Sequence, residues 1–244
     1  MYKTDGVVLR TRNLGEADKI VTVYTKTKGK VVAVARGARR IRNRLLSSTQ
    51  MFTHGRYLFF DGKTLDTLCQ GEIVLSFQPL RDDLDKMAYA MYLCELVDVF
   101  VEEGEPSPEI FVLLINSLKM VNEGQVLLAL RRFELRLMKC LGYHPEMHHC
   151  ISCGTEPEAI IYFSKEGGIV CSHCKPQFST THIVSRGTWE LTKRLLDWEW
   201  SRISILHPSA FSLVEIEHCM RDYIDYRLDR PLRSLGFLQT LKQF

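Results

Sequence analysis

Apolar residues in the first eighty positions recur every second residue, and from residue 82 onward every third or fourth. The first pattern predicts strands and the second helices. Gly6–Arg10 starts one strand and Gly15-Glu16-Ala17-Asp18 turns the chain. Ile20–Thr25, rich in β-branched residues, is a second strand, and Val31–Ala35 returns after Lys28-Gly29-Lys30. Arg56–Phe60 is expected to pair through Asp61-Gly62 with Thr64–Cys69, because Asp-Gly between strand-like runs favours a tight hairpin. Five short strands with a long connection between the third and fourth suit a small Greek-key barrel of the OB type. An SH3-like barrel is the competing arrangement.

In the helical part, Asp82 or Asp83 is placed to cap a helix whose stripe is Leu84, Met87, Ala88, Met91 and Cys94. Ser107-Pro108 opens a second helix. A third carries Leu127, Leu130, Phe133, Leu137 and Leu141 and ends at Gly142. Trp189, Leu195, Leu196 and Trp198 mark a fourth, and Ser212-x-x-Glu215 forms a capping box for a fifth that stops before Pro231. The aromatic and methionine stripes are packing surface. The fold class expected is α+β multidomain: an N-terminal OB-fold β-barrel, then a helical domain with an inserted four-cysteine module. The boundaries are 1–80 for the barrel, 81–145 and 181–244 for the two parts of the helical domain, and 146–180 for the insert.

That insert holds Cys150-x2-Cys153 and Cys171-x2-Cys174, seventeen residues apart, a spacing that reads as a zinc site. Ala159–Phe163 is strand-like, Glu166-Gly167-Gly168 a turn and Ile169-Val170 a short return. Four thiolates complete a tetrahedral shell and leave no open position, so one structural Zn²⁺ is expected. His148, His149 and His173 are near enough to replace one ligand, but four cysteines make them neighbours of the site instead. Cys69, Cys94, Cys140 and Cys219 sit in apolar patterns as small hydrophobes, a usage that fits a reducing cytoplasm.

Composition is that of an ordinary globular chain, 45% hydrophobic and 25% charged in 244 residues. The uncharged stretch Ile110 to Leu118 is about half a membrane span, so no transmembrane helix is expected. The opening Met1–Gly6 leads directly into strand-like sequence, and no signal peptide is expected. Net charge changes the picture more. Residues 1–80 hold 14 Lys and Arg against 6 Asp and Glu, a net of +8, while residues 81–244 hold 18 against 23, a net of −5. An asymmetry of this kind points to an anionic partner for the basic half.

The basic residues concentrate in Arg36-Gly37-Ala38-Arg39-Arg40-Ile41-Arg42-Asn43-Arg44, in the long loop of the expected barrel. Lys26, Lys28 and Lys30 crowd the preceding turn, and Arg10, Arg12 and Lys19 share its surroundings. Arginine forks match phosphate oxygens, and Gly37 would let backbone approach a ligand. Tyr24, Phe52, Tyr57 and Phe59 are the rings available for base stacking, but half of a barrel's rings must point inward, and each alone is expected to be core. The same run is also what a solvated charge cluster, or a patch for RNA, an acidic protein or lipid, would look like. Phosphate-loop, dinucleotide, zinc-protease and nucleophile-elbow motifs are all absent, and Asp82, Asp83 and Asp85 sit at a helix start. No enzyme is expected.

Several segments together resemble one family. They are Asp5–Arg10, Gly15–Thr22, Gly29-Lys30, Ala35–Arg40, Phe52–Tyr57, Arg132–Leu137, Leu141-Gly142-Tyr143 and Pro231–Leu238. In this order, along the whole chain, they are similar to the RecO family of bacterial DNA-repair proteins. The resemblance implies a DNA-binding OB-fold, a helical domain interrupted by a zinc module, and a recombination mediator that is cytoplasmic and nucleoid-associated. Such a mediator binds single- and double-stranded DNA and anneals complementary strands. With RecR it assists loading of RecA on DNA coated by single-stranded-DNA-binding protein. Some relatives lack the cysteines, which implies that zinc is scaffolding. DNA contact is carried to Arg10, Arg12, Lys19, Lys26, Lys28, Lys30, Arg36, Arg39, Arg40, Arg42 and Arg44. A docking place for the C-terminal tail of single-stranded-DNA-binding protein is expected at Arg132, Phe133 and Arg136. The alternatives are a zinc-ribbon RNA- or ribosome-associated factor, and a nuclease or ligase-like enzyme with a site that no motif reveals.

Overall fold

The structure, a computed structural model, describes residues 1–203 and 205–241. Two compact units divide the chain: residues 1–126 with the chain from 232 onward, and residues 127–231.

In the first unit β1 (Tyr2–Leu14), β2 (Asp18–Thr25), β3 (Gly29–Ala35), β4 (His54–Phe60) and β5 (Asp66–Leu75) close a barrel in the order β1-β2-β3-β5-β4. The parallel β3–β5 pairing, Ala33 opposite Asp66 and Val34 opposite Thr67, closes it as an OB-type barrel rather than an SH3-like one. β1 is longer than its apolar run suggests because it pairs twice, its first half with β4 and its whole length from Gly6 with β2. The register shifts between Val8 and Arg10, a bulge that lets one strand serve both partners. Alternation sends Val8, Val21, Val23, Val31, Ala33, Tyr57, Phe59 and Leu68 into the core. α1 (Leu45–Ser48) follows the arginine loop, and Leu45 adds to that core.

Tyr57 is fully buried, and its ring needs space that three glycines supply. A Cβ on Gly55 would lie 2.9 Å from the ring, one on Gly6 3.2 Å from it, and one on Gly71 3.1 Å from it. Its hydroxyl lies 2.8 Å from the Ser48 carbonyl and 3.2 Å from that of Thr53.

The helical layer of this unit comprises α2 (Gln78–Asp82), α3 (Leu84–Phe100), α4 (Pro108–Asn122) and α9 (Arg233–Leu241). Asp83 caps α3 by accepting from the Lys86 N–H at 3.0 Å, and Ser107 caps α4 by accepting from that of Ile110 at 3.3 Å. Glu95 on α3 accepts the backbone N–H groups of Arg233 and Ser234, so a carboxylate from one helix caps another. The helices cover the outer face of β2: Thr22 and Tyr24 point away from the barrel core yet are buried, and the Ser107 N–H donates to the Tyr24 hydroxyl at 3.2 Å.

The second unit is built from α5 (Val126–Cys140), α6 (Arg186–Asp197), α7 (Trp200–Ile203) and α8 (Ala210–Asp225). Inserted between α5 and α6 is a sheet ordered β7-β6-β8, from β6 (Ile161–Ser164), β7 (Gly168–Cys171) and β8 (Thr181–Val184). The capping box expected at Ser212 is absent. Ser209 is the N-cap of α8, accepting from the Ser212 N–H at 3.1 Å. Glu215 instead accepts from Ser185 and Thr188 at the start of α6, joining the two helices through one carboxylate.

His54 has both ring nitrogens buried without a hydrogen-bond partner, and its ring meets Phe111 edge-on at 5.7 Å. Burial pushes its pKa down, with Lys119 and Arg56 adding to the shift and Asp5 opposing it. The folded ring therefore binds a proton less tightly than the unfolded chain. Stability from this group is intact above the ordinary histidine pKa of about 6.5 and declines as pH falls through it, until the folded ring itself protonates. Thermal melts at about pH 7.5 and 5.5 are expected to show a smaller acid-induced drop in His54→Phe than in the parent chain.

Candidate nucleic-acid interface and metal centre

The strands that bury Tyr57 and Phe59 necessarily turn Arg56 and Leu58 outward. Register sets Lys3 beside Leu58 and Leu58 beside Gln70, and sets Arg56 beside Glu72. This outer face of β1, β4 and β5 is the floor of an open groove of about 800 Å³. Its wall is the loop 36–44, which contributes Arg40, Arg42, Asn43 and Arg44. Five cations, Lys3, Arg40, Arg42, Arg44 and Arg56, thus face one carboxylate, Glu72. Arg56 lies 3.8 Å from Asp5 and 3.6 Å from Glu72, long and exposed pairs that hold it weakly.

The loop is ordered by its own bonds. The Gly37 N–H donates to Asp18 Oδ1 at 2.7 Å, and the Arg39 N–H to the Ala17 carbonyl at 2.9 Å. Asn43 donates from Nδ2 to the Arg36 carbonyl and accepts at Oδ1 from the Leu45 N–H. Gly37 has φ +66°, and a Cβ there would stand 2.7 Å from Asn43 Nδ2, so this glycine serves the turn itself rather than a ligand.

The eleven cations expected at a DNA surface separate into groups. Arg40, Arg42 and Arg44 line the groove. Arg39 donates to the Gly15 carbonyl at 2.9 Å and fastens the loop to the β1–β2 turn. Lys19 is buried, and burial, then Arg39, pushes its pKa down. Arg10 and Lys30 both go to Asp98 on α3, Arg10 Nε at 2.9 Å and Lys30 Nζ at 3.7 Å, and Lys30 also donates to the Asp98 carbonyl at 2.6 Å. Lys26 and Lys28 stand exposed in the β2–β3 turn, Lys28 over the Tyr2 ring at 5.3 Å. Arg12 and Arg36 are exposed, and Arg10 and Arg12 border a smaller hollow of about 100 Å³. Lys3 and Arg56 were missed by the sequence reading, although an outward position on a strand beside the loop was a usable signal. Tyr24, Phe52, Tyr57 and Phe59 are all fully buried, so each is core, as expected of each ring taken singly, and none stands open to stack on bases.

In the second unit the chain brings Cys150, Cys153, Cys171 and Cys174 together, with all four sulfurs within 4.8 Å of one another. Hairpin pairing sets Cys171 opposite Ile161 at the end of β7, and the Ile151 N–H donates to the Ile169 carbonyl at 3.0 Å, bringing the first pair alongside. Cys153 and Cys171 sulfurs are 3.7 Å apart, close to the roughly 3.8 Å edge of a tetrahedron with metal–sulfur bonds of about 2.3 Å. Thr155 holds the exposed Cys153 thiol down at about 6, whereas Cys174 stands at about 12. Ser152 pulls Cys174 down, but burial and the three other sulfurs outweigh it. Four thiols so close ionise together only around a cation, and the set can hold a metal ion. His148 and His149 stay outside it, their N–H groups bonded to Glu146 Oε1.

Arg132, Phe133 and Arg136 occupy a different role from the one expected. Phe133 is fully buried and Arg132 is 2% exposed. Arg132 donates to the Leu195 and Trp198 carbonyls, and Arg136 to that of Leu196. They satisfy the last carbonyls of α6, where cations are favoured. Burial, then Arg136, lowers the pKa of Arg132 to about 10, with Glu199 opposing. In this structure these side chains serve the packing of α5 against the end of α6.

Residues 1–77 match the family model described as Recombination protein O N terminal, and residues 81–236 match Recombination protein O C terminal. The chain belongs to the RecO family. It is 42% identical to the DNA repair protein RecO of Symbiobacterium thermophilum, over 99% of this chain and 98% of the relative. It is 36% identical to the DNA repair protein RecO of Pelotomaculum thermopropionicum, over 100% and 95%, and 35% identical to that of Desulforamulus reducens, over 99% and 95%. It is accordingly a DNA repair and recombination protein, with an OB-type barrel and a cysteine cluster able to hold a metal ion. No helix among the described residues is long and apolar enough to cross a membrane.

Elemental analysis is expected to find about one bound metal ion per chain, lost in Cys150→Ser. That loss should destabilise the second unit by several kcal/mol, on the order of what structural metal sites contribute, seen as an earlier melting transition. A chain that purifies without metal and titrates four free thiols while folded would overturn the centre.

Proposed function

We propose that this chain is a recombination mediator that binds single- and double-stranded DNA in the barrel groove and anneals complementary strands. The observation that carries this reading is the groove itself, five cations against one carboxylate on a rigid loop and strand surface. Arginine forks suit phosphates, and of the two amide side chains lining the groove Asn43 is bonded within the loop, leaving Gln70 too little to read a base sequence, so binding is indifferent to sequence. Neutralising phosphates is also what two strands require before they approach. Working with RecR, the chain assists loading of RecA onto DNA coated by single-stranded-DNA-binding protein, in the cytoplasm, by binding rather than by turnover. Its metal is zinc, held by Cys150, Cys153, Cys171 and Cys174. Four thiolates leave no open coordination position, so the ion braces the hairpin of the second unit and takes no part in chemistry.

Fluorescence anisotropy across a salt series tests the groove. Replacing Arg40, Arg42 and Arg56 with alanine should weaken binding to unrelated oligonucleotides alike, by about tenfold or more. For single strands the slope of log K against log salt should flatten by about two, if each arginine contacts one phosphate. Annealing rates should fall in parallel. A triple variant that keeps the parent's affinity and slope would move DNA off this groove, and a preference for structured RNA over single-stranded DNA would favour an RNA-associated factor.

A further inference from the structure

The second unit carries a cation–aromatic cluster that the groove reading leaves unused. Trp198 follows the last residue of α6 and Trp200 opens α7, and both rings are half-buried. The guanidiniums of Arg194 and Arg202 lie 5.3 and 4.8 Å from the centre of the Trp198 ring. Both arginines are exposed. Of the neighbouring acids, Asp197 pairs with Lys139 at 3.2 Å and Glu190 with Lys193 at 2.6 Å, while Glu199, between the two rings, is exposed and acts on the Arg132 guanidinium. Trp200 in turn lies 4.6 Å from the Arg132 guanidinium.

This turn is fixed from α5. Arg132 holds the carbonyls of Leu195 and Trp198, and Arg136 that of Leu196. The two rings are therefore set before any ligand arrives, which lowers the ordering cost of binding. Guanidiniums layered on indole rings supply the two elements of sequence-tolerant single-strand binding, flat π-surfaces against which bases stack and forked donors for phosphates. A peptide side chain would need an apolar pocket instead, and Leu195, Leu196 and Ile203 at this turn are all buried.

We propose that the turn carrying Trp198 and Trp200, with Arg194 and Arg202, is a second contact for single-stranded nucleic acid. The proposal rests on the reading of this chain as a strand-annealing protein. Annealing brings two strands to one protein, and the barrel groove alone neutralises one of them.

The full chain and an oligothymidylate labelled at one end provide the test. Trp189 is buried, so quenching of tryptophan emission by the oligonucleotide reports on Trp198 and Trp200. The parent chain should be quenched as anisotropy reports binding. Trp198→Leu, and separately the pair Arg194→Gln with Arg202→Gln, should lose most of the quench and anneal complementary strands about tenfold more slowly, the size of one stacked base. Single-strand affinity should fall by only about threefold, because the groove still binds. The groove variant lacking Arg40, Arg42 and Arg56 should keep the quench at higher oligonucleotide concentration. Binding by anisotropy without any quench, or parent annealing rates in both turn variants, would overturn the second site and leave the groove standing. Quenching by an acidic aromatic peptide but not by oligothymidylate would also overturn it, assigning the turn to a protein. No anisotropy change in the parent chain would take down the annealing reading and this site together. The surface arginine pair keeps the test decisive if Trp198→Leu fails to fold.

Discussion

The hydroxyl of Tyr57 ties the inside of the barrel to its working edge. The ring fills the space left by Gly6, Gly55 and Gly71, and the hydroxyl bonds to the Ser48 carbonyl at the end of α1. α1 begins directly after Arg44, so that bond fixes the C-terminal anchor of the arginine loop. Asp18 and Ala17 fix the other end, through Gly37 and Arg39. Between these anchors Arg40, Arg42 and Arg44 have one place to go, above the outward faces of β1, β4 and β5. The same alternation that turns Tyr57 in turns Arg56 out, so packing and charge placement are one decision. A basic loop held on a packed scaffold loses less ordering entropy on meeting an anion than a free basic loop would.

The opposite side of the barrel shows what the helical layer costs and gives. OB barrels commonly bind along strands 2 and 3. Here Thr22 and Tyr24 on that face are buried, and Asp98 draws in Arg10 and Lys30. Gly29, at φ +64°, admits the Glu105 backbone so closely that a Cβ would stand 2.3 Å from its carbonyl oxygen. Cations that composition assigns to a partner are here the fasteners between barrel and helices. What remains open to a polyanion is the β1–β4–β5 side.

Much of the fold was legible in sequence because it depends on near neighbours. Alternation in Val31–Ala35, the caps at Asp83 and Ser107, and the paired cysteines are all local signals, and each appears where it was expected. What was not legible depends on long-range register. Lys3 joins the groove only because β1 pairs with β4, and β8 exists only because β6 offers it an edge. Glu215 stands three residues after Ser212 in a capping-box pattern, yet its carboxylate reaches a different helix. Each of the four aromatic rings of the barrel was expected singly to be core, but that all four would be so depends on how the barrel closes and what covers it.

Net charge says least about local surfaces in the second part of the chain. Residues 81–244 sum to −5, which argues against an anionic ligand there. The sum treats all arginines alike, and the structure does not. Arg131 is buried against Glu134 at 3.2 Å, Arg132 and Arg136 end α6, and Arg227 lies 3.5 Å over Tyr223 while donating to the Lys165 and Tyr223 carbonyls. A guanidinium that satisfies buried carbonyls is part of the packing and contributes little field at the surface. Arg194 and Arg202 do the reverse, lying on the half-buried Trp198 ring and themselves exposed. The interior arginines hold the turn, and the exposed ones present it. A local basic surface can therefore sit on a unit whose charges balance, because a ligand within a Debye length of about 10 Å feels the nearest forks rather than the total.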